Sequence, residues 1–137
     1  MSLEILREDA LVSNADGMAL RLSLPWIRSL PLASLVDLEV AIDGAPVTAP
    51  SISLGTRSLP PTDLAGEDAW WFIQDRVVVT ARGTTGEGAH EVAVSFRLVV
   101  PYLQTGPDGP LVLPFHAERS LVVDAPASAP TVSRDVV

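Results

Sequence analysis

His90-Glu91-Val92-Ala93-Val94-Ser95-Phe96-Arg97-Leu98-Val99-Val100 is the stretch that decides the fold. From Val92 onward its even-numbered positions are all apolar, whereas most odd-numbered positions are small or polar. Successive side chains of a strand leave opposite faces, so this period-two alternation predicts a strand with one buried and one solvated face. We predict that it is the central strand of a β-sandwich and that it ends at Pro101, because proline cannot donate to a ladder.

Several further short strands surround this one, and no segment shows a sustained helical period. Apolar residues alternate over 17–24 and 36–42, residues 70–73 and 77–81 look like strand, and 111–123 is a last extended stretch interrupted at Pro114. About seven short strands at this spacing predict an all-β chain folded as an immunoglobulin-like antiparallel β-sandwich.

The connections between these strands carry their own signals. Asp43-Gly44 predicts a type I′ hairpin turn, followed by a return strand over 45–48. Residues 50–67 are rich in Pro, Ser, Thr and Gly, and predict a long connection with a brief strand at 51–54. We expect a hairpin loop at 83–88, leading into the central strand.

The sequence does not determine which of Trp70 and Trp71 faces the core. Neighbouring strand residues point to opposite faces, so one of the two tryptophans should leave the core. If Val77 and Val79 are buried, an uninterrupted strand would bury Asp75 as well. A bulge or turn near residues 74–75 would resolve this conflict.

The chain of 137 residues predicts one sandwich domain, 1–123, and a flexible C-terminal tail, 124–137. Its net charge is −8 and all nine basic residues are arginine, which makes nucleic acid a poor partner and excludes Schiff-base chemistry. It has no cysteine, and no apolar run is long enough to span a membrane. The N-terminus does not read as a signal peptide, so we expect a cytoplasmic protein.

Catalytic and metal-binding patterns are weak in this sequence. The two histidines, His90 and His116, are far apart, and no serine sits in a nucleophile elbow. We assign no catalytic residue and no metal ligand to this chain, and keep both histidines as possible contacts on the substrate side.

Aromatic residues near proline-bounded loops are the stronger signal, because tryptophan, tyrosine and arginine anchor many protein interfaces. Core packing remains the simpler role for two of the three tryptophans. The residues we predict at a partner interface are Trp26, Arg28, Leu30, Trp70, Tyr102 and Gln104.

The order of several segments resembles the small (β) subunit of bacterial C-glycoside deglycosidases. An Arg-x-x-Pro-Leu loop at 28–32 precedes Leu35-Val36-Asp37-Leu38-Glu39-Val40-Ala41-Ile42-Asp43-Gly44, and a Trp-Trp-Phe strand follows at 70–72. Gly88-Ala89-His90-Glu91-Val92-Ala93-Val94, Arg97 and Pro101-Tyr102 complete the pattern. The resemblance covers about residues 5 to 123, but not the connection 50–67 or the tail.

This resemblance implies a hetero-oligomeric enzyme in which the small subunit is a β-sandwich without catalytic residues. A barrel-fold large (α) subunit would hold a divalent metal, Mn or Mg, and cleave the carbon–carbon bond of 3-oxo-C-glycosides by elimination. Two alternatives stay open: a stand-alone carbohydrate-binding module that uses an outward Trp70 or Trp71, and a self-sufficient enzyme.

Overall fold

The computed structural model describes residues 4–15, 17–82, 86–104 and 109–125. This part of the chain contains eleven strands, two short 3₁₀ turns and no α-helix, which confirms the all-β prediction. The 3₁₀ turns are Leu32–Ser34 and Pro61–Gly66. The strands are β1 (Leu11–Asn14), β2 (Gly17–Ser23), β3 (Leu30–Pro31), β4 (Leu35–Ile42), β5 (Ala45–Pro46), β6 (Ser51–Leu54), β7 (Arg57–Leu59), β8 (Trp70–Trp71), β9 (Arg76–Arg82), β10 (Ala89–Gln104) and β11 (Pro110–Val122).

The strands form two main antiparallel sheets and one small one. The order is β1-β2-β9-β6-β7 in the first sheet and β11-β10-β4-β5 in the second, while β3 pairs with β8. Buried residues of both main sheets belong to one apolar core, so the chain is a β-sandwich. Immunoglobulin-like connectivity remains a prediction.

β10 is the interior strand expected from the sequence, since it pairs with β4 on one side and β11 on the other. Its alternation is confirmed: five inward residues are 2% exposed or less. These residues are Val92, Val94, Phe96, Leu98 and Val100.

Prolines do not end the strands as predicted. β10 continues past Pro101 to Gln104, and β11 continues through Pro114. Pairing with β4 stops at Leu98, before Pro101, and β11 is an edge strand along its whole length. A proline without an N–H group is tolerated at such positions.

β4 departs from strict alternation at Asp37, whose φ is 55°. The register with β10 shifts here, from Ser95 opposite Glu39 to Arg97 opposite Val36. The extra residue of this bulge moves Leu35 into the core and leaves Val36 only half-buried.

The Asp43-Gly44 turn is confirmed, because both residues have the positive φ of a type I′ turn, 54° and 80°. The return strand is shorter than predicted, since β5 covers only Ala45–Pro46. In the long connection the strand at 51–54 is confirmed, whereas β7 and the 3₁₀ turn Pro61–Gly66 were not foreseen.

The prediction of a hairpin loop at 83–88 is wrong. β9 lies in the first sheet and β10 in the second, so this connection crosses between the sheets. Residues 83–85 themselves are outside the described part. Of the predicted tail, Asp124 accepts hydrogen bonds from Ser13 (2.9 and 2.6 Å), and residues 126–137 are outside the described part.

The two neighbouring tryptophans separate as predicted. Trp71 is fully buried against Phe96 and donates its indole N–H to the carbonyl of Asp75 at 3.1 Å, while Trp70 is 47% exposed. A turn closed by Asp75 N–H donating to the Phe72 carbonyl ends β8. This turn leaves Ile73 49% exposed, but Asp75 is still buried at 5% exposure, so the turn removes only part of the predicted conflict.

Candidate interaction surface

One end of the sandwich carries most of the large apolar side chains that the described residues leave exposed. Six of the seven belong to three segments: residues 25–31, residues 70–73 and the C-terminal end of β10. We call these six, together with Trp26 and Arg28, the aromatic surface. The six exposed side chains are Ile27, Trp70, Phe72, Ile73, Tyr102 and Leu103. Single exposed apolar residues are ordinary, but a contiguous group of them marks an interaction site.

Tyr102 connects β10 to the loop after β2. The indole N–H of Trp26 donates to the Tyr102 hydroxyl at 2.5 Å, and the guanidinium carbon of Arg28 lies 5.7 Å from the centre of the Tyr102 ring. Trp26 is half-buried, packed against the core, whereas Arg28 and Tyr102 are exposed. The core thus holds one side of this cluster and the other side faces solvent.

Residues 70–73 join the same loop through backbone contacts. β3 pairs with β8, Leu30 opposite Trp71 and Pro31 opposite Trp70. The hydroxyl of Ser29 accepts the N–H of Ile73 at 2.8 Å. The three segments are therefore held together by hydrogen bonds, which fix their positions relative to one another.

The structure brings together four of the six residues predicted for a partner interface. Trp26, Arg28 and Tyr102 are in direct contact, and Trp70 lies on the adjoining strand. Leu30 corrects the prediction: its side chain is 0% exposed and belongs to the core, so it offers no surface. Gln104 is the last residue of β10, opposite Pro110, and its side chain is outside the described part.

Sequence reasoning missed four exposed apolar residues of this surface: Ile27, Phe72, Ile73 and Leu103. For Phe72 and Ile73 a signal was present, since the apolar run 70–73 leads straight into residues 74–75, where the sequence predicts a bulge or turn. Ile27 lies in an apolar loop whose residues show no periodic pattern, so the sequence does not predict which side chains are buried and which are exposed.

The opposite end of β10 is polar. His90 Nδ1 lies 2.6 Å from one carboxylate oxygen of Asp43, and the other oxygen accepts the N–H of Glu91 at 2.9 Å. The hydrogen bond from His90, and then the one from the Glu91 backbone, hold the pKa of Asp43 below its usual value. We call Asp43, His90, Glu91, Ser13 and Asp124 the polar end; the bonds from Ser13 likewise lower the pKa of Asp124.

The two histidines do not share a site. His90 is mostly buried at the polar end, while His116 lies exposed on β11, opposite Ser95 and 3.1 Å from a carboxylate oxygen of Glu118. A shallow groove of about 480 Å³ runs beside His116 on the outer face of the second sheet, with walls that include Pro46 and Val47. Among the described residues, no hydrogen bond or ion pair joins either histidine to the aromatic surface, and a role next to substrate stays a prediction.

The described residues form no cluster of three or more histidine, aspartate or glutamate side chains placed to hold a metal ion. Within the same part of the chain, no helix has the length and apolar character needed to cross a membrane.

Curated relatives resemble this chain over most of their length, although no protein-family model matches it. The 3'-dehydrocarminate deglycosidase beta subunit of a Microbacterium species is 32% identical over 103 residues, covering 72% of this chain and 78% of the relative. The C-glycoside deglycosidase beta subunit of Microbacterium trichothecenolyticum is 30% identical over 105 residues, covering 72% and 79%. That of Arthrobacter globiformis is 26% identical over 124 residues, covering 87% and 94%.

Proposed function

Since the chain belongs to the family of C-glycoside deglycosidase beta subunits, we propose that it is the small, non-catalytic subunit of a cytoplasmic C-glycoside deglycosidase complex. The family membership is the observation that carries this proposal, because a beta subunit works in a complex with a partner subunit. The fold agrees with such a role, since it is a β-sandwich with one apolar core and an uncovered apolar end.

The proposed reaction follows from the same family. The complex acts on a C-glycoside already oxidised to a ketone at the sugar 3-position, which acidifies the neighbouring C–H bond. After that proton is removed, the carbon–carbon bond to the aglycone breaks by elimination, and the aglycone carbon takes up a proton. We assign this chemistry to a barrel-fold large subunit, where a divalent metal, Mn or Mg, would supply Lewis acidity to the substrate ketone.

We place the large subunit on the aromatic surface. The segments that carry its apolar side chains are joined by the Trp26–Tyr102 and Ser29–Ile73 hydrogen bonds, so docking does not have to order their backbones. Burial of Ile27, which is 70% exposed, and of Trp70 would remove apolar area from water at about 25 cal/mol per Å². Aromatic residues and arginine are the groups that contribute most in such interfaces.

Co-expression with the barrel-fold large subunit tests the proposal. We expect one stable complex on gel filtration, and cleavage of a 3-oxo-C-glycoside only when both chains are present. The matched variants are Ile27→Asp on the aromatic surface and Val122→Asp, which alters an exposed apolar residue on β11 instead. Ile27→Asp should abolish co-elution and Val122→Asp should leave it intact. Two separate peaks for the wild-type chains at micromolar concentration would contradict the proposal.

A carbohydrate-binding module is the second candidate, and the exposed indole of Trp70 is the observation that favours it. Stacking on a sugar needs no partner chain. Calorimetry of the isolated chain with soluble glycans therefore separates the two functions: heat of binding that Trp70→Ala removes would support the module, and its absence together with a stable two-subunit complex would support the subunit.

A further inference from the structure

Arg28 is the charged residue of the aromatic surface. Its guanidinium lies over the ring of Tyr102, and the hydroxyl of that ring is itself fixed by the indole N–H of Trp26. A guanidinium over an aromatic face is favourably placed by the quadrupole of the ring, and its planar N–H donors remain available at the edge. The structure thus presents a positioned cation amid exposed apolar side chains.

Arg28 has no acidic partner among the described residues, whereas three other arginines of the chain each have one; Arg82 is like Arg28 in this respect but lies away from the aromatic surface. Arg57 pairs with both oxygens of Glu67 at 2.9 and 3.0 Å, Arg76 pairs with Asp9 at 2.8 Å, and Arg97 lies 3.3 Å from Asp37. The chain carries seventeen acidic residues against nine arginines, so a carboxylate neighbour would be easy to supply. An arginine left on a tyrosine instead is available to another molecule.

Docking at this surface would remove Arg28 from water. A buried guanidinium without an anionic partner loses its hydration without compensation, so an interface around it needs an anion. A carboxylate matches the guanidinium because two parallel N–H···O bonds can form. We propose that Arg28 is the charged anchor of the aromatic surface and that it pairs with a carboxylate side chain of the large subunit. This inference rests on the proposed function.

The pair would set orientation as well as affinity. With a net charge of −8, this protein as a whole repels acidic groups of a partner. Arg28 is a position that attracts an acidic side chain instead. The apolar residues around Arg28 contribute area without direction, whereas a bidentate ion pair permits a narrow range of docking angles.

The test measures the dissociation constant of the two-subunit complex for Arg28→Glu, Arg28→Met and Arg82→Glu. Arg82 is the matched control, since it is an exposed arginine at the far end of β9 from the aromatic surface. We expect Arg28→Glu to weaken binding about 100-fold or more and Arg28→Met about tenfold or more, as for the loss of one partner of a buried charge pair. Arg82→Glu should change affinity less than about threefold, as expected of a charge outside an interface. Thermal unfolding of each isolated chain confirms that the variants fold.

Salt dependence separates an ion pair from packing. Affinity of the wild type should fall with ionic strength more steeply than that of Arg28→Met, which keeps an apolar stem of similar length but has no charge. Equal salt slopes, or equal losses for Arg28→Glu and Arg82→Glu, would overturn the anchor while leaving the two-subunit complex in place. Failure of the wild-type chains to associate would instead reject the proposed function.

Discussion

The two ends of β10 satisfy their exposed groups in different ways. At its beginning, His90 and the Glu91 N–H both bind Asp43, and the N–H of Asp43 donates back to the carbonyl of Glu91 at 2.7 Å. At its other end Tyr102 accepts one hydrogen bond from Trp26 and lies among apolar side chains that nothing in the described chain covers.

This difference separates a region that completes the fold from a region that remains open to a partner. Most polar groups at the polar end find partners within the chain; the exception is the buried Nε2 of His90, which has no hydrogen-bond partner among the described residues. The exposed apolar area of the aromatic surface is unfavourably hydrated in the isolated chain. This free-energy cost is removed only when a partner covers the surface. Damage at the two ends should therefore affect different properties, stability at one and binding at the other.

The largest expected effect distinguishes the two adjacent tryptophans. Trp71→Ala should destabilise the fold by about 3–5 kcal/mol, because it leaves a cavity beside Phe96 and removes the donor to the Asp75 carbonyl. Trp70→Ala should cost less than about 1 kcal/mol of stability, as usual for a surface position, but should weaken the complex with the large subunit about tenfold. Urea unfolding and binding assays on both variants measure this; a similar loss of stability in both would show that Trp70 belongs to the core.

A smaller effect is expected in the turn at the polar end. Gly44 has a φ of +80° and open space where a Cβ would be, so Gly44→Ala should cost about 1 kcal/mol from backbone strain alone. Gly66→Ala is the matched control, since its surroundings are equally open and its φ is not in the left-handed region. Affinity for the large subunit should be unchanged in both. Weaker binding by Gly44→Ala would mean that the polar end takes part in the interface.

The smallest effect is pH-dependent and concerns Asp43. Because hydrogen bonds depress its pKa in the folded state, the stabilisation by its carboxylate is complete above the ordinary pKa of 3.8 and is lost as pH falls through the lower folded value. Asp43→Asn retains a side chain that tolerates the positive φ of this position. Its unfolding free energy should be lower than that of the wild type at neutral pH, and the gap should close in acid.

Asp68→Asn provides the comparison for this experiment, because the exposed Asp68 carboxylate pairs with none of the described residues. Its unfolding free energy should follow the wild type across the same pH range. A gap between Asp43→Asn and wild type that stays constant down to low pH would show that the bond to His90 does not depend on the carboxylate charge.

Features of one strand or one turn could be predicted from sequence, whereas contacts between distant segments could not. The inward row of β10, the Asp43-Gly44 turn and the opposite facing of Trp70 and Trp71 follow from neighbouring residues alone. The contact between Trp26 and Tyr102 joins residues 76 positions apart. Their residue types and the neighbouring prolines predicted both as interface residues, but only the tertiary fold places them side by side.

Local sequence also misjudged positions where the tertiary fold sets the facing. Leu30 reads as a surface residue of an apolar loop, yet pairing of β3 with β8 turns it into the core. The alternation in β4 predicts Val36 inside, yet the bulge at Asp37 buries Leu35 instead. In both cases a neighbouring strand decided which side of the backbone faced the core.

The sequence by itself determined an all-β chain, its central strand and its family, because the period of two and the order of motifs are written along the chain. Only the tertiary structure decided which apolar residues stay uncovered and that Arg28 lies over the ring of Tyr102. The physical reason is that backbone geometry repeats residue by residue, while exposure and charge pairing depend on which distant segments the packing of two sheets brings together.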